Sequence, residues 1–136
     1  MKMLKRFLVD YITNTSAISD AISLNENNFS DRNIQDVVGL NSHLQFRKAQ
    51  YQVQIFSTPP NYIIPEHKHP NVDSFEIYLS GDIDFSLDGS WLSNWDIKDH
   101  AFIDDLFVVQ VEHNAIHGAI FGDNGGRFMS VQHWIH

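Results

Sequence analysis

The sequence predicts an all-β antiparallel sandwich or barrel that follows a short helical segment. From residue 51 onward, short apolar runs recur at a spacing of about 8–12 residues, and turn residues such as Asn71, Gly81 and Asp88-Gly89 separate them. In several runs polar and apolar residues alternate strictly, which is typical of a half-buried strand. About seven or eight short strands of this kind predict a single β domain.

The N-terminal segment, residues 1–43, is predicted to be helical and loop-like, and residues 44–136 form the predicted barrel. Apolar residues at steps of three and four indicate a short amphipathic helix, namely Leu4, Phe7, Leu8, Tyr11 and Ile12. A second short helix is predicted to begin at Ala17, with Ser16 as its cap. Residues 25–33 are rich in Asn, Ser and Asp and predict a loop.

The strands are predicted from alternation and from turn residues. Apolar residues alternate with glutamine over residues 50–55, which predicts a strand with one buried face. Residues 75–79 and 82–87 are predicted to pair as a hairpin near Gly81, with Asp88-Gly89 closing the second strand. Further strands are predicted at 106–111, 117–121 and 127–135, with a hairpin turn at 122–126. The stretch containing Trp91, Trp95 and Phe102 is less regular.

Composition excludes several classes of function. The 136 residues include 17 acidic and 9 basic side chains, a formal charge of -8 that opposes general attraction to nucleic acids or anionic membranes. The chain has no cysteine, so a metal would be held by nitrogen and oxygen. The apolar run near the start is too short for a signal peptide or a membrane span. We expect a soluble, cytoplasmic protein.

His67 and His69 are the first candidate site. Side chains two residues apart on a strand point to the same face, about 7 Å apart along the chain, so two imidazoles can converge on one ion. His113 and His117 follow about fifty residues later, and we expect His113 to be a loop residue or a hydrogen-bond partner of a ligand. His43, His100 and His136 have no convergent context.

These motifs resemble those of the cupin superfamily. The first cupin motif is His-x-His, three or four residues, Glu, six residues and Gly, and the second ends in a histidine that glycine often follows. His67-Lys68-His69 with the run to Gly81 is similar to the first, and the run from Val111 to His117-Gly118 is similar to the second. The resemblance implies a double-stranded β-helix, or jelly-roll barrel of the RmlC-like type. It also implies a metal bound by His67, His69 and His117.

The carboxylate of the first motif departs from the family pattern, because Ser74 occupies the position seven residues before Gly81. Three alternatives remain open. Glu76 shares the strand parity of Ser74 and would be a ligand or a substrate-facing base, since a carboxylate buried in a barrel needs a cation or hydrogen bonds. Asp73 is the second alternative, and water the third. Tyr78 has the same parity and is predicted to help orient a substrate.

The expected function is a metal-dependent cupin enzyme that acts on a small organic molecule, with dioxygenase chemistry as the leading reaction class. Iron is the expected metal, with nickel, manganese, zinc or copper as alternatives. A non-catalytic small-molecule-binding or sensor domain, or a metal-assisted isomerase or lyase, are the alternative functions, because a fold does not determine a function. The resemblance also implies a homodimer. Arg127 is predicted to lie on the surface.

Overall fold

The computed structural model describes residues 1–30, 40–93 and 106–135; Trp95, His100, Phe102 and His136 lie outside these ranges. Two helices and a short 3-10 turn precede nine strands in the described residues. The elements are α1 Lys2–Asn14, α2 Ala17–Ser23, the 3-10 turn Glu26–Asn28, β1 Asn41–Lys48, β2 Tyr51–Thr58, β3 Ile63–His67, β4 Val72–Ser80, β5 Ile83–Leu87, β6 Ser90–Ser93, β7 Phe107–Val111, β8 His117–Phe121 and β9 Gly126–Trp134. Neither α1 nor α2 is long and apolar enough to cross a bilayer.

The strands form two antiparallel sheets. The five-stranded sheet has the order β1-β2-β9-β4-β7, and the four-stranded sheet has the order β3-β8-β5-β6. From β2 onward the chain passes from one sheet to the other after each strand, except at the β5–β6 hairpin. This alternation is the double-stranded β-helix, or jelly-roll, architecture. The predicted all-β barrel with a short N-terminal helical segment is confirmed.

Two apolar layers hold the fold together. One lies between the sheets and is built mainly from aromatic side chains, including Phe56, Tyr78, Phe85, Phe107 and Phe128. The other lies between the helices and the outer face of the five-stranded sheet, where buried side chains of both meet, namely Leu4, Leu8, Ala21, Val53, Ile55, Phe75, Ile77, Met129 and Val131. The helices therefore cover the outer face of this sheet, and its central strands are buried on both faces.

Strand β2 corrects the prediction of one buried face. Val53 and Ile55 are fully buried beneath the helices. Gln52 and Gln54, which have the opposite parity, are only 3% exposed each, because they point into the space between the sheets. The alternation over residues 50–55 correctly separated two faces. Assigning the glutamine face to solvent was wrong, since the opposite sheet covers it.

The predicted turn at Asp88-Gly89 is confirmed, whereas the prediction of a hairpin at Gly81 is wrong. Leu87 pairs with Ser90 across a two-residue loop, and both loop residues have positive φ, 47° and 87°, as a type I′ turn requires. At Gly81 the chain instead leaves the five-stranded sheet, so β4 pairs with β7 and β9, and β5 pairs with β6 and β8.

The glycine-rich turn after β8 is likewise a connection between sheets and not a hairpin, because β8 and β9 belong to different sheets. This turn packs against the one at Gly81. A Cβ on Gly81, which has a φ of +92°, would lie 2.1 Å from the carbonyl oxygen of Gly125. Both reversals were visible in the sequence as turn residues, but the strand that each one leads to is decided by packing.

Arg127 is not a surface residue as predicted, since its side chain is only 12% exposed. Its guanidinium donates to the carbonyl oxygens of Ala21, Ile22 and Leu24 and pairs with Glu26, so it holds the end of α2 against β9. Ser16 is the N-cap residue of α2 as predicted, but its side chain makes no capping hydrogen bond to the helix backbone. The hydroxyl of Ser16 bonds to the carboxylate of Asp20, and the hydroxyl of Thr15 accepts from the N–H of Ala17.

Candidate metal centre

Three histidines from two neighbouring strands come together at one end of the barrel. His67 ends β3 and is the ladder partner of His117, which begins β8, and His69 follows two residues after His67. One ring nitrogen from each lies within 4.8 Å of the other two. Among the described residues this is the one group of three or more histidine, cysteine or carboxylate side chains close enough to share an ion.

The orientation of two rings is determined by backbone carbonyl groups. Nδ1 of His67 lies 2.7 Å from the carbonyl oxygen of Pro65, and Nδ1 of His117 lies 2.9 Å from that of Ala115. A carbonyl oxygen only accepts, so each Nδ1 carries the proton and each Nε2 keeps a free lone pair. Nε2 of His67 and Nε2 of His69 are buried and have no hydrogen-bond partner. Unpaired buried nitrogens of this kind fit a metal ion.

Burial keeps two of these imidazoles neutral. Burial, together with electrostatic repulsion from His67 and His117, lowers the pKa of His69 to about 4. It also lowers the pKa of His117, although the hydrogen bond with Ala115 opposes this shift. The neutral imidazole is the form that binds metal, so these two side chains need not lose a proton near neutral pH before they act as ligands.

Glu76 lies on the wall of the cavity that His67 and His117 line. Burial raises the pKa of Glu76 to about 7, although hydrogen bonds from Ser130 and Ser74 act in the opposite direction. Its Oε2 atom is buried without a partner. Glu76 does not belong to the group of mutually close ligand atoms, which among the described residues consists of the three histidines.

The remaining lining is mostly apolar. Tyr78, Phe85 and Phe128 are among the residues that face the cavity. Burial, followed by the charge of Glu76, raises the pKa of Tyr78 well above its usual range, so the phenol stays protonated. The space between these side chains is small, with room for about one water molecule or one ion, so only the reacting end of a larger ligand could enter it.

Comparison with known proteins shows which solved structures have a similar architecture. No protein-family model matches the sequence, and no curated protein matches it. Among solved structures, KdgF from a Halomonas species has 14% identity and a TM-score of 0.58, covering 77% of this chain and 84% of its own. An RmlC-like cupin from Shewanella frigidimarina has 14% identity and a TM-score of 0.54, covering 80% and 95%. A cupin superfamily protein from Desulfitobacterium hafniense has 18% identity and a TM-score of 0.51, covering 71% and 78%.

The chain has the cupin fold. These likenesses are all below 25% identity, so they establish the architecture and leave its chemistry to the residues of this barrel. The resemblance drawn from the two histidine motifs is confirmed at this level. In this cupin barrel β3 and β8 are adjacent, which explains why motifs about fifty residues apart place their histidines together.

Asp73, an alternative ligand in the cupin motif, lies elsewhere. Its Oδ1 accepts from the backbone N–H of His113 at 2.7 Å and lies 2.8 Å from Nδ1 of the same residue. Burial raises the pKa of Asp73, but the bonds from His113 lower it by more, so the carboxylate is charged. The N–H of Asn114 donates to the carbonyl oxygen of His69. The Asp73–His113 pair thus holds the connection between β7 and β8 against β4.

Sequence reasoning missed four buried polar residues of the cupin barrel that surround Glu76. Gln54 and Ser130 lie in one cross-strand row with Glu76, and Gln52 and Gln132 lie in the next row with Ser74. The available signal was the choice of glutamine at positions 52 and 54, since a solvated strand face more often carries charged side chains.

Proposed function

We propose that His67, His69 and His117 bind one divalent transition metal, with iron as the first candidate. The observation that supports this most directly is the pair of buried Nε2 atoms, on His67 and His69, that have no hydrogen-bond partner. Three nitrogen ligands leave positions open for a substrate or for oxygen, and imidazole suits iron, nickel, copper and zinc. When bound, such a metal supplies Lewis-acid activation of a substrate oxygen and, if it is redox-active, reaction with O₂.

We further propose that the barrel is an enzyme acting on a small organic molecule, with dioxygenase chemistry as the leading class. Glu76 is the proposed base, because its Oε2 is unpartnered in the same cavity and its pKa of about 7 suits proton transfer near neutral pH. Oε2 receives a proton from a hydroxyl or similar donor of the substrate. The apolar side chains around the cavity, among them Phe85 and Phe128, exclude water.

The charge of the cavity favours a substrate whose reacting end is neutral. No lysine or arginine is among its described lining residues, and Glu76 is the one carboxylate among them. A carboxylate or phosphate placed there would be repelled by Glu76 unless the metal balanced it. Tyr78 keeps its proton and is the proposed donor that orients the substrate.

Metal analysis tests the first part of the proposal. Protein loaded with Fe²⁺ without oxygen and then desalted is expected to retain about one metal ion per chain by elemental analysis. The His67→Ala, His69→Ala double variant is expected to retain almost none. His43→Ala is the matched control, because His43 contacts the carbonyl oxygen of Asn28 and lies outside the three-histidine group. Full retention of metal by the double variant would refute the proposal.

Oxygen consumption tests the reaction class. The iron-loaded protein is incubated with catechols, diketones and thiols, and uptake of O₂ that requires one of these compounds and is lost in Glu76→Gln supports the dioxygenase proposal. Metal retention without turnover of any compound supports the second candidate, a non-catalytic binding or sensor domain. That candidate is favoured by the small size of the cavity, which has room for about one water molecule or one ion. The cupin resemblance also leads us to propose a homodimer, with twice the 15.7 kDa chain mass in light scattering.

A further inference from the structure

A chain of hydrogen bonds runs through the buried polar residues behind Glu76. Gln132 is fully buried at its centre, and all four of its hydrogen-bonding positions are used. Its Oε1 accepts from Trp134 Nε1 at 2.9 Å and from Gln52 Nε2 at 3.1 Å. Its Nε2 donates to Gln54 Oε1 at 3.0 Å and to Ser130 Oγ at 3.0 Å.

Trp134 determines the direction of this chain. The indole N–H can only donate, so the atom of Gln132 that faces it must be the carbonyl oxygen. The amide nitrogen of Gln132 then faces Ser130, whose oxygen accepts. Because that oxygen accepts from Gln132, the hydroxyl proton of Ser130 is free to be donated to another group. Glu76 is the residue directly opposite on β4, and hydrogen bonding from Ser130 lowers the pKa of its carboxyl group.

Ser74 completes the arrangement from the other side. Its hydroxyl donates to Oε1 of Glu76 at 3.2 Å, whereas Oε2 has no partner. Six polar side chains therefore lie in the interior of this barrel, whereas small β-barrels usually fill their interior with apolar residues. Burying them is costly unless each is hydrogen-bonded, and a network that is satisfied except at one carboxylate oxygen is rigid around that oxygen.

We infer that Trp134, Gln132 and Ser130 are positioning residues for Glu76, which commit the Ser130 proton to the carboxylate and leave Oε2 as the atom offered to a ligand. The functional meaning of this inference rests on the proposed role of Glu76 as a base. The direction of the hydrogen bonds from Trp134 to Ser130 does not depend on that role. Trp134 acts through two intermediate side chains. Removing only its N–H should therefore change the environment of a carboxylate that it does not touch.

Carbon-13 NMR of the glutamate carboxyl groups tests this relay in metal-free protein. The chain has only four glutamates, Glu26, Glu66, Glu76 and Glu112, and the resonance lost in Glu76→Gln identifies Glu76. The titratable groups around Glu76 are His67 and His117 across the cavity and Tyr78 on its own strand, and the variants tested leave all three in place. Because no metal is needed, failure of the metal proposal would not affect this measurement.

Ser130→Ala is expected to raise the pKa of Glu76 by about one pH unit, since a hydrogen bond that favours the charged form is lost. Trp134→Phe and Gln132→Met are expected to raise it by a smaller amount, and Ser130→Thr, which keeps the hydroxyl, to restore the original value. Ser86→Ala is the matched control, because Ser86 is also fully buried but its Oγ has no partner. An unchanged pKa of Glu76 in Trp134→Phe and Gln132→Met, or an equal rise in Ser86→Ala, would overturn the inference.

Discussion

Replacing Glu76 with glutamine removes the one buried acid of the cavity while keeping the size of the side chain. The folded protein holds the proton of Glu76 up to a pKa of about 7, whereas an unfolded glutamate has the usual value of 4.5. The folded state therefore binds this proton more tightly than the unfolded state does. The stabilising effect of the bound proton on the folded state is complete below about pH 4.5. The contribution is lost as the pH rises from there to about 7.

The size of the effect follows from the two pKa values. Each pH unit of difference corresponds to about 1.4 kcal/mol, so ionised Glu76 costs the wild type about 3 kcal/mol above pH 7. Glu76 is buried, so solvent screening reduces this value little. Glu76→Gln carries no such cost. Its stability relative to the wild type should therefore increase by about 2 kcal/mol between pH 5 and pH 8.

Urea unfolding of both metal-free proteins, measured at intervals from pH 5 to pH 8, gives the difference in unfolding free energy directly. The histidines and the other carboxyl groups titrate in both proteins, so their contributions largely cancel. A difference between the two proteins that stays constant over this pH range, or that changes in favour of the wild type, would refute the reasoning about Glu76.

Three further predictions follow from the geometry. Arg127→Met should lower the unfolding free energy by about 2–4 kcal/mol and speed amide hydrogen exchange in α2, because three carbonyl groups lose their shared donor; equal exchange rates would contradict this. Gly81→Ala should destabilise the protein far more than Gly89→Ala in thermal unfolding, because both have positive φ but only the Cβ at Gly81 would meet backbone, at Gly125. Zn²⁺ at about 100 times its dissociation constant should stabilise the wild type by about 3 kcal/mol and have little effect on His117→Ala, and equal shifts in melting temperature would count against the site.

Local features of the fold were predictable from local residues. Asp88-Gly89 requires two positive φ angles, and any chain that places these residues between two strands favours the same turn. Gly81 is an equally clear turn residue. The strand that follows it, β5, pairs with whichever strand has an apolar surface that β5 can cover. That surface belongs to β8, which comes more than thirty residues later, so the turn alone led to the wrong pairing.

The candidate site was predictable to a similar degree. The parity of β4 placed Glu76 and Tyr78 on the side of the histidines and Phe75 and Ile77 on the other, and the burial of these residues agrees with that division. Parity could not show that Asp73 is held by His113, because this contact joins residues forty positions apart.

By itself, the sequence determined the strand periodicity, the Asp88-Gly89 turn and the two histidine motifs, since each depends on residues that are neighbours along the chain. Only the tertiary structure decided that the helices cover one face of the five-stranded sheet and that Gln52 and Gln54 consequently face inward. It also decided that the donors of Trp134 and Gln132 follow one chain of hydrogen bonds to Ser130, which lies opposite Glu76. The physical reason is that burial and hydrogen-bond direction depend on what lies across a sheet, and a strand carries no local record of its partner.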